Sequence, residues 1–346
     1  MRLMYKDGRN QGGDQMKRFA LFAAGVGVLV AGTLLQSGAA QGQMNQAGPA
    51  GKNGYRATLV GIAASDFAKS QAFFEHTMGF PVAFKFSSAD GTRTNLFFQM
   101  GRNSFIEMQS AGGDVKPGLT HAHFVVDDLT ATLAKLRQAG LAAAGRGGRP
   151  ANAVGEQGYS QNIFTKNGNI YDPDGIRLEL NELTPESLMK KAADSWTAAQ
   201  EAKALNLNVV GVGASDLPVS AKFYQGLLAF RTPFTFGGPD PQRISYYLQP
   251  SRETFVELQH VGANATPGLS HFHLVTANLD ATIARLKQAG LTAAAGNTPG
   301  TIGQAVAVSP GAKTKNINVY DPDGVRIELN EYDSDSLVKK AIDSWQ

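Results

Sequence analysis

The chain has 346 residues, with 42% hydrophobic and 18% charged residues and no cysteine. That length accommodates two or three domains with real cores, and the composition excludes a mainly disordered chain. The lack of thiols excludes disulfide scaffolds, zinc–cysteine sites, iron–sulfur clusters and cysteine nucleophiles. The formal charge is +3, but residues 1–39 carry five basic and two acidic side chains, and the rest balances at 27 of each sign. The basic excess therefore belongs to the N-terminus, and no nucleic-acid partner is expected.

That N-terminus reads as a signal peptide over residues 1–40. Met16-Lys17-Arg18 begins a cationic stretch and can itself be the start; Phe19 to Leu35 is uncharged and largely apolar; Ser37-Gly38-Ala39-Ala40 offers small residues to a signal peptidase. Export to a periplasmic or extracellular location is expected, with no membrane contact after cleavage; an uncleaved N-terminal anchor is the alternative. Residues 41–54, rich in Gln, Gly and Asn, read as a flexible lead-in.

The remainder is an internal duplication. Val60-Gly61-Ile62-Ala63-Ala64-Ser65-Asp66 returns as Val210-Gly211-Val212-Gly213-Ala214-Ser215-Asp216. Gly118-Leu119-Thr120-His121-Ala122-His123 returns as Gly268-Leu269-Ser270-His271-Phe272-His273, and Tyr171-Asp172-Pro173-Asp174-Gly175 as Tyr320-Asp321-Pro322-Asp323-Gly324. The repeats define domains over 55–196 and 205–346, with a short, helix-prone linker at 197–204.

Within the first copy, a β-branched strand precedes Asp66, which can cap a helix carrying Phe73, Phe74 and Met78 and ending at Gly79. Alternating strands follow, including Thr94 to Gln99 and Ser104 to Gln109. The cycle then restarts: His121 to Val126 is a strand, Asp128 caps a helix with Leu129, Leu133 and Leu136 on one face, and Asp172-Pro173-Asp174-Gly175 turns into the strand Ile176 to Leu180. Each copy is thus two βαβββ units. A terminal helix follows, with Leu188, Ala192 and Trp196 as its expected apolar stripe.

The helix-entry Ser65-Asp66, the His-x-x-Phe-x-Val-Asp-Asp-Leu of residues 121–129 and the Asp-Pro-Asp-Gly-x-x-x-Glu-Leu of residues 172–180 resemble the vicinal oxygen chelate superfamily of glyoxalases, extradiol dioxygenases and bleomycin-resistance proteins. The resemblance covers both copies. It implies an α+β fold of two tandem domains, each a curved mixed sheet around a cup that takes a small-molecule ligand, in a monomer or homodimer. In metal-using members the cup holds a divalent ion. Carried over residue by residue, the ligand positions are Glu107, His121 and Glu179 in the first copy and Glu257, His271 and Glu328 in the second. The fourth position, normally histidine on the opening strand, is Leu59 or Val209.

Two carboxylates and an imidazole suit Fe, Mn, Ni or Zn. His123 and His273 lie two residues beyond His121 and His271, on the same strand face, and are candidates to complete the shell. Arg93 and Arg243 hold matching places on a middle strand and are candidates to bind an anionic substrate. No nucleotide or flavin is expected: the Gly-rich segment 144–149 lacks the features of a phosphate loop. Two functions stay open, a metal-dependent lyase, isomerase or dioxygenase, and a metal-free binding or sequestering protein of the bleomycin-resistance type. The retained Glu-His-Glu set favours the first and the missing histidine favours the second.

Overall fold

The computed structural model describes residues 54–87, 94–145, 150–262 and 265–345. The expected signal peptide, residues 41–53 of the lead-in, Arg93, and residues 146–149 of the Gly-rich segment lie outside them. Among the described residues no helix is long and apolar enough to cross a membrane.

The first copy runs β1 (Arg56–Ala64), α1 (Phe67–Ala72), β2 (Val82–Ser87), β3 (Thr94–Gly101), β4 (Ser104–Ser110), β5 (Gly118–Val125), α2 (Leu129–Gln138), β6 (Ala142–Ala143), β7 (Ala153–Val154), β8 (Gly158–Ser160), β9 (Thr165–Tyr171), β10 (Arg177–Leu183) and α3 (Leu188–Asp194). A short α4 (Ala198–Glu201), closed by a capping box between Thr197 and Gln200, fills the linker. The second copy repeats the plan with β11 (Asn206–Ala214), α5 (Leu217–Lys222), β12 (Arg231–Gly237), β13 (Ile244–Ser251), β14 (Thr254–His260), β15 (Gly268–Val275), α6 (Leu279–Gln288), β16 (Thr292–Ala294), β17 (Thr301–Gly303), β18 (Ala307–Val308), β19 (Lys315–Tyr320), β20 (Arg326–Glu331) and α7 (Leu337–Asp343).

Each copy forms a ten-stranded mixed sheet. The first is ordered β2-β3-β4-β1-β5-β10-β9-β7-β6, with β8 on β9, and the second has the same order with the corresponding strands. The two βαβββ units therefore meet where β1 pairs antiparallel with β5. The caps fall where the sequence places them: Asp66 and Asp128 accept from the backbone N–H groups of Lys69 and Ala131. The first helix is shorter than its apolar stripe suggests, because after Ala72 it widens into a π-helical turn, Phe73–Thr77, that buries both phenylalanines before Gly79 leaves at φ +78°.

Strand alternation sorts the side chains to two faces. Val60, Ile62, Ile106, Met108, Ala122, Phe124, Leu178 and Leu180 enter one apolar core that continues into the second copy through Val210, Val212, Phe272 and Leu329. Phe230 of the second copy packs edge-on to Tyr55 of the first, at 5.4 Å between ring centroids, so the two sheets share this core.

The opposite face of each sheet is the one that the family resemblance makes the cup, and it carries the candidate site residues. One end of the first cup is apolar, with Leu59, Phe97 and Phe105 packed against Ile163 and Met189. Met189 belongs to α3, which lies over its own sheet. Of the expected stripe, Trp196 is buried and Ala192 packs partly buried against the same cluster as Met189, whereas Leu188 is replaced by Met189, and Ala193 is buried as well.

Candidate metal centre

The polar residues of the cup are set out by register. Gly61 on β1 is paired with Glu107 on β4 and with His121 on β5. One step along the strands, Leu59 is paired with Phe105 and His123, and His123 with Glu179 on β10. Because neighbouring strands lie about 4.8 Å apart, side chains from three strands converge over Gly61. The second copy repeats this with Gly211, Glu257, His271, Val209, His273 and Glu328.

In the first cup, His121 Nε2 and His123 Nε2 are 2.7 Å apart, and Glu107 Oε2 lies 3.3 Å from the first and 3.7 Å from the second. Glu179 Oε2 stands 3.7 Å from His123 Nε2 at the edge of the group. In the second cup, His271 Nε2 and His273 Nε2 lie 3.1 and 3.3 Å from Glu257 Oε2, and Glu328 Oε2 is 3.7 Å from His273 Nε2. One ligand atom from each of Glu107, His121 and His123, and likewise from Glu257, His271 and His273, falls within 4.8 Å of the others, an arrangement able to hold a metal ion.

The centre of each group is thus Glu-His-His, with the closing-strand glutamate beside it. Leu59 leaves the opening strand without a ligand, but its cross-strand partner His123 brings an imidazole to the same level of the sheet. The proposed pairing of His121 with His123, and of His271 with His273, is the one the geometry brings together.

The surroundings orient these groups. Thr120 Oγ1 lies 2.8 Å from His121 Nδ1, and Ser270 Oγ lies 2.8 Å from His271 Nδ1. When Nδ1 carries the proton and donates to the hydroxyl, Nε2 presents its lone pair to the cup, as metal-binding histidines require. Asn95 donates to Glu107 Oε1 at 2.6 Å, while in the second cup Gln259 donates to Glu257 Oε1 at 2.6 Å and Tyr247 to Oε2 at 3.2 Å. Sequence reasoning missed Asn95 and Tyr247, on the strands adjoining Glu107 and Glu257, and Gln259, two residues from Glu257 on its own strand, since which polar neighbour turns to the carboxylate is set by strand pairing and side-chain packing. Gly61 and Gly211 were visible within the repeated motif, but only as repeat members.

Burial dominates the electrostatics. It pushes His123 and His271 down to about 4, so both are neutral at physiological pH and ready to act as ligands. The positive charge of Arg177 acts in the same direction on His123. At His273 burial also works downward, but the Glu328 and Glu257 carboxylates outweigh it and the pKa rises. Burial alone would lift Glu257; the imidazoles of His271 and His273 against it prevail and hold it well below the usual carboxylate range. His273 Nε2 is nevertheless buried with no aligned hydrogen-bond partner. An unbonded imidazole nitrogen facing two carboxylates, and two imidazole nitrogens facing each other in the other copy, are donor sets that a divalent cation would satisfy.

Arg243, one of the two arginines expected to bind an anion, is not part of this group. Arg243 ends a 3-10 turn, Pro241–Arg243, ahead of β13; its side chain is 82% exposed and lies 3.6 Å from Asp240. The Pro-led turn keeps it off the sheet and out of the cup. Arg93 is outside the described residues.

A family model for the glyoxalase/bleomycin resistance protein/dioxygenase superfamily matches residues 56–180 and 206–329. The chain belongs to this superfamily. Both matched segments end at the closing strand of their sheet, so the superfamily unit is present twice and both candidate centres lie inside it. No curated protein matches the sequence. Among solved structures, the Mn(II)-bound glyoxalase from Novosphingobium aromaticivorans aligns at TM-score 0.61 and 16% identity, covering 80% of this chain and 82% of that one. The 2,3-dioxygenase LapB from Pseudomonas sp. KL28 aligns at TM-score 0.61 and 14% identity over 81% and 93%. The 2,2',3-trihydroxybiphenyl 1,2-dioxygenase from Sphingomonas wittichii strain RW1 aligns at 0.59 and 16% over 85% and 94%. At these identities the likeness is one of fold.

Proposed function

We propose that each cup binds one divalent metal ion, through Glu107, His121 and His123 in the first copy and Glu257, His271 and His273 in the second, and acts there on a small oxygen-rich molecule. The observation that carries this reading is the convergence of the same three residue types over a glycine in both copies. The Mn(II) in the glyoxalase of similar fold supports it. A bound ion would supply Lewis acidity to vicinal oxygens of the substrate. Glu107, fixed by Asn95, would hold charge in the site. Glu179, beside the imidazoles and partly open to solvent, is the carboxylate best positioned to accept a proton at Oε2.

The test is metal analysis of mature protein purified without a histidine tag, with the pairs Glu107→Gln/His123→Ala and Glu257→Gln/His273→Ala. Two equivalents in the wild type and one in each pair are expected. Wild-type protein that stays empty after incubation with Mn(II), Fe(II), Ni(II) and Zn(II) would overturn the reading. It would leave the metal-free binder, which the apolar packing of Leu59 against Phe105 favours.

We also propose that residues 1–40 direct export and that the working protein consists of two glyoxalase-like domains, 55–196 and 205–346. N-terminal sequencing of the protein from the exported fraction of its source cells tests the first point; an intact N-terminus in the cytosolic fraction overturns it.

A further inference from the structure

Glu179 shares its strand face with Arg177, two residues earlier, and Glu328 shares its face with Arg326. In the second copy Arg326 is paired directly with His271, and the same register sets Arg177 beside His121. A row therefore crosses each sheet, Glu107, Gly61, His121 and Arg177 in one copy and Glu257, Gly211, His271 and Arg326 in the other. Each guanidinium belongs to the strand adjoining the imidazole strand, about 4.8 Å away.

Neither arginine side chain forms an ion pair or a hydrogen bond among the described residues. Arg177 is only partly exposed, and its Nε is buried with no partner. Asn169 Oδ1 and, two residues beyond Glu179 on its strand, the Nδ2 and Oδ1 of the fully buried Asn181 are also unpartnered, and Asn318 Oδ1 is unpartnered in the second cup. Asn169 faces Glu179 across the β9–β10 pair and Asn318 faces Glu328 across β19–β20, so these groups border the candidate centres. A partly buried guanidinium without an ion-pair or hydrogen-bond partner is costly, as is a buried amide without a partner, and both costs fall when a ligand carries the complementary groups. The planar fork of arginine fits a carboxylate in particular.

We propose that Arg177 and Arg326 are the specificity-determining residues of the two cups and that the natural ligand is a small organic acid, whose carboxylate they hold while its remaining oxygens face the Glu-His-His group. This deepens the function proposed above and rests on it only in taking the cup as the ligand site. The separation along the row suits an acid whose carboxylate and other oxygens lie within one ring or a few bonds of each other.

The experiment is a fluorescence titration of the mature, full-length protein with salicylate and with salicylamide, the matched neutral amide, first metal-free and then loaded with Mn(II). Metal-free wild type is expected to bind the acid about tenfold or more tightly than the amide, as one charge-assisted contact implies. Arg177→Met/Arg326→Met, which keeps the apolar stems, should weaken acid binding about tenfold or more and so remove that preference. Arg177→Lys/Arg326→Lys should keep part of it and lose it as salt is raised. Equal binding of acid and amide by the wild type, no binding of either, or a preference that survives in the methionine variant each overturns the proposal. Metal uptake is read separately, so a chain that takes no metal but prefers the acid refutes the metal centre and sustains the arginine assignment.

Discussion

The imidazole of His121 lies directly over Gly61: a Cβ built at Gly61 would come 2.2 Å from His121 Cε1, and one at Gly211 would come 2.2 Å from His271 Nδ1. Those distances are far inside van der Waals contact, so the glycine is what allows the histidine ring to lie flat on the sheet and aim Nε2 at the glutamate. Gly61→Ala and Gly211→Ala should each lower metal affinity at their own centre by about tenfold to a hundredfold, the range seen when a ligand's support is removed. Titration with Mn(II), with circular dichroism to check the fold, reads the effect. Unchanged affinity in both variants would show that the rings do not need this seat.

The two copies are fastened by reciprocal contacts. Ser65 donates from its backbone N–H (3.0 Å) and its hydroxyl to Asp323, and Ser215 does the same to Asp174. The helix-entry motif of each copy thus grips the turn motif of the other. Asp174→Ala and Asp323→Ala should each cost about 1–2 kcal/mol as charge-assisted bonds, reduced by their exposure, and the losses should add. Thermal unfolding with a double-mutant comparison measures this, and shifts within error for both variants would refute it.

An asymmetry appears deeper in the same seam. Tyr224 donates to Asp172 Oδ2 at 3.1 Å, whereas its counterpart in the first copy is Phe74, and Asp321 Oδ2 is buried without a partner. Tyr224→Phe should destabilise the protein by about 1–3 kcal/mol, the cost of orphaning a buried carboxylate oxygen. Phe74→Tyr should stabilise it by about 0.5–1.5 kcal/mol by supplying the missing donor. Denaturant midpoints of the two variants should move in opposite directions.

Burial pushes Asp172 and Asp321 up to about 6, against the hydrogen bonds they accept from Ile176 and Val325. The folded state therefore prefers these carboxyls protonated. Their contribution is fully present below the unfolded value near 4 and is lost as pH rises through 6, at about 1–3 kcal/mol for each group. Between pH 4 and pH 7 this loss opposes the gain from His123 and His271, whose depressed pKa values make stability rise with pH, so Asp172→Asn/Asp321→Asn should make the measured unfolding free energy rise more steeply with pH than in the wild type. An equal slope in the double variant would refute the assignment of this loss to the two carboxyls.

Much of this was legible in the chain. The duplicated motifs exposed two equivalent units, and alternation and capping residues located β1, β5, α2 and β10, because those signals act within one turn or one pleat. The Glu-His-Glu set could be named through the resemblance to the vicinal oxygen chelate superfamily, and the adjacent histidines from their spacing on one strand face. What the chain could not supply is register. That His121 rests on Gly61, that His123 compensates for Leu59 as its cross-strand partner, and that Arg177 rather than Arg243 borders the cup all depend on which residues of separate strands come level. Pairing across strands, and the gripping of Ser65 by Asp323 from the other copy, are settled by burial of one shared core, a non-local balance that no window of sequence contains.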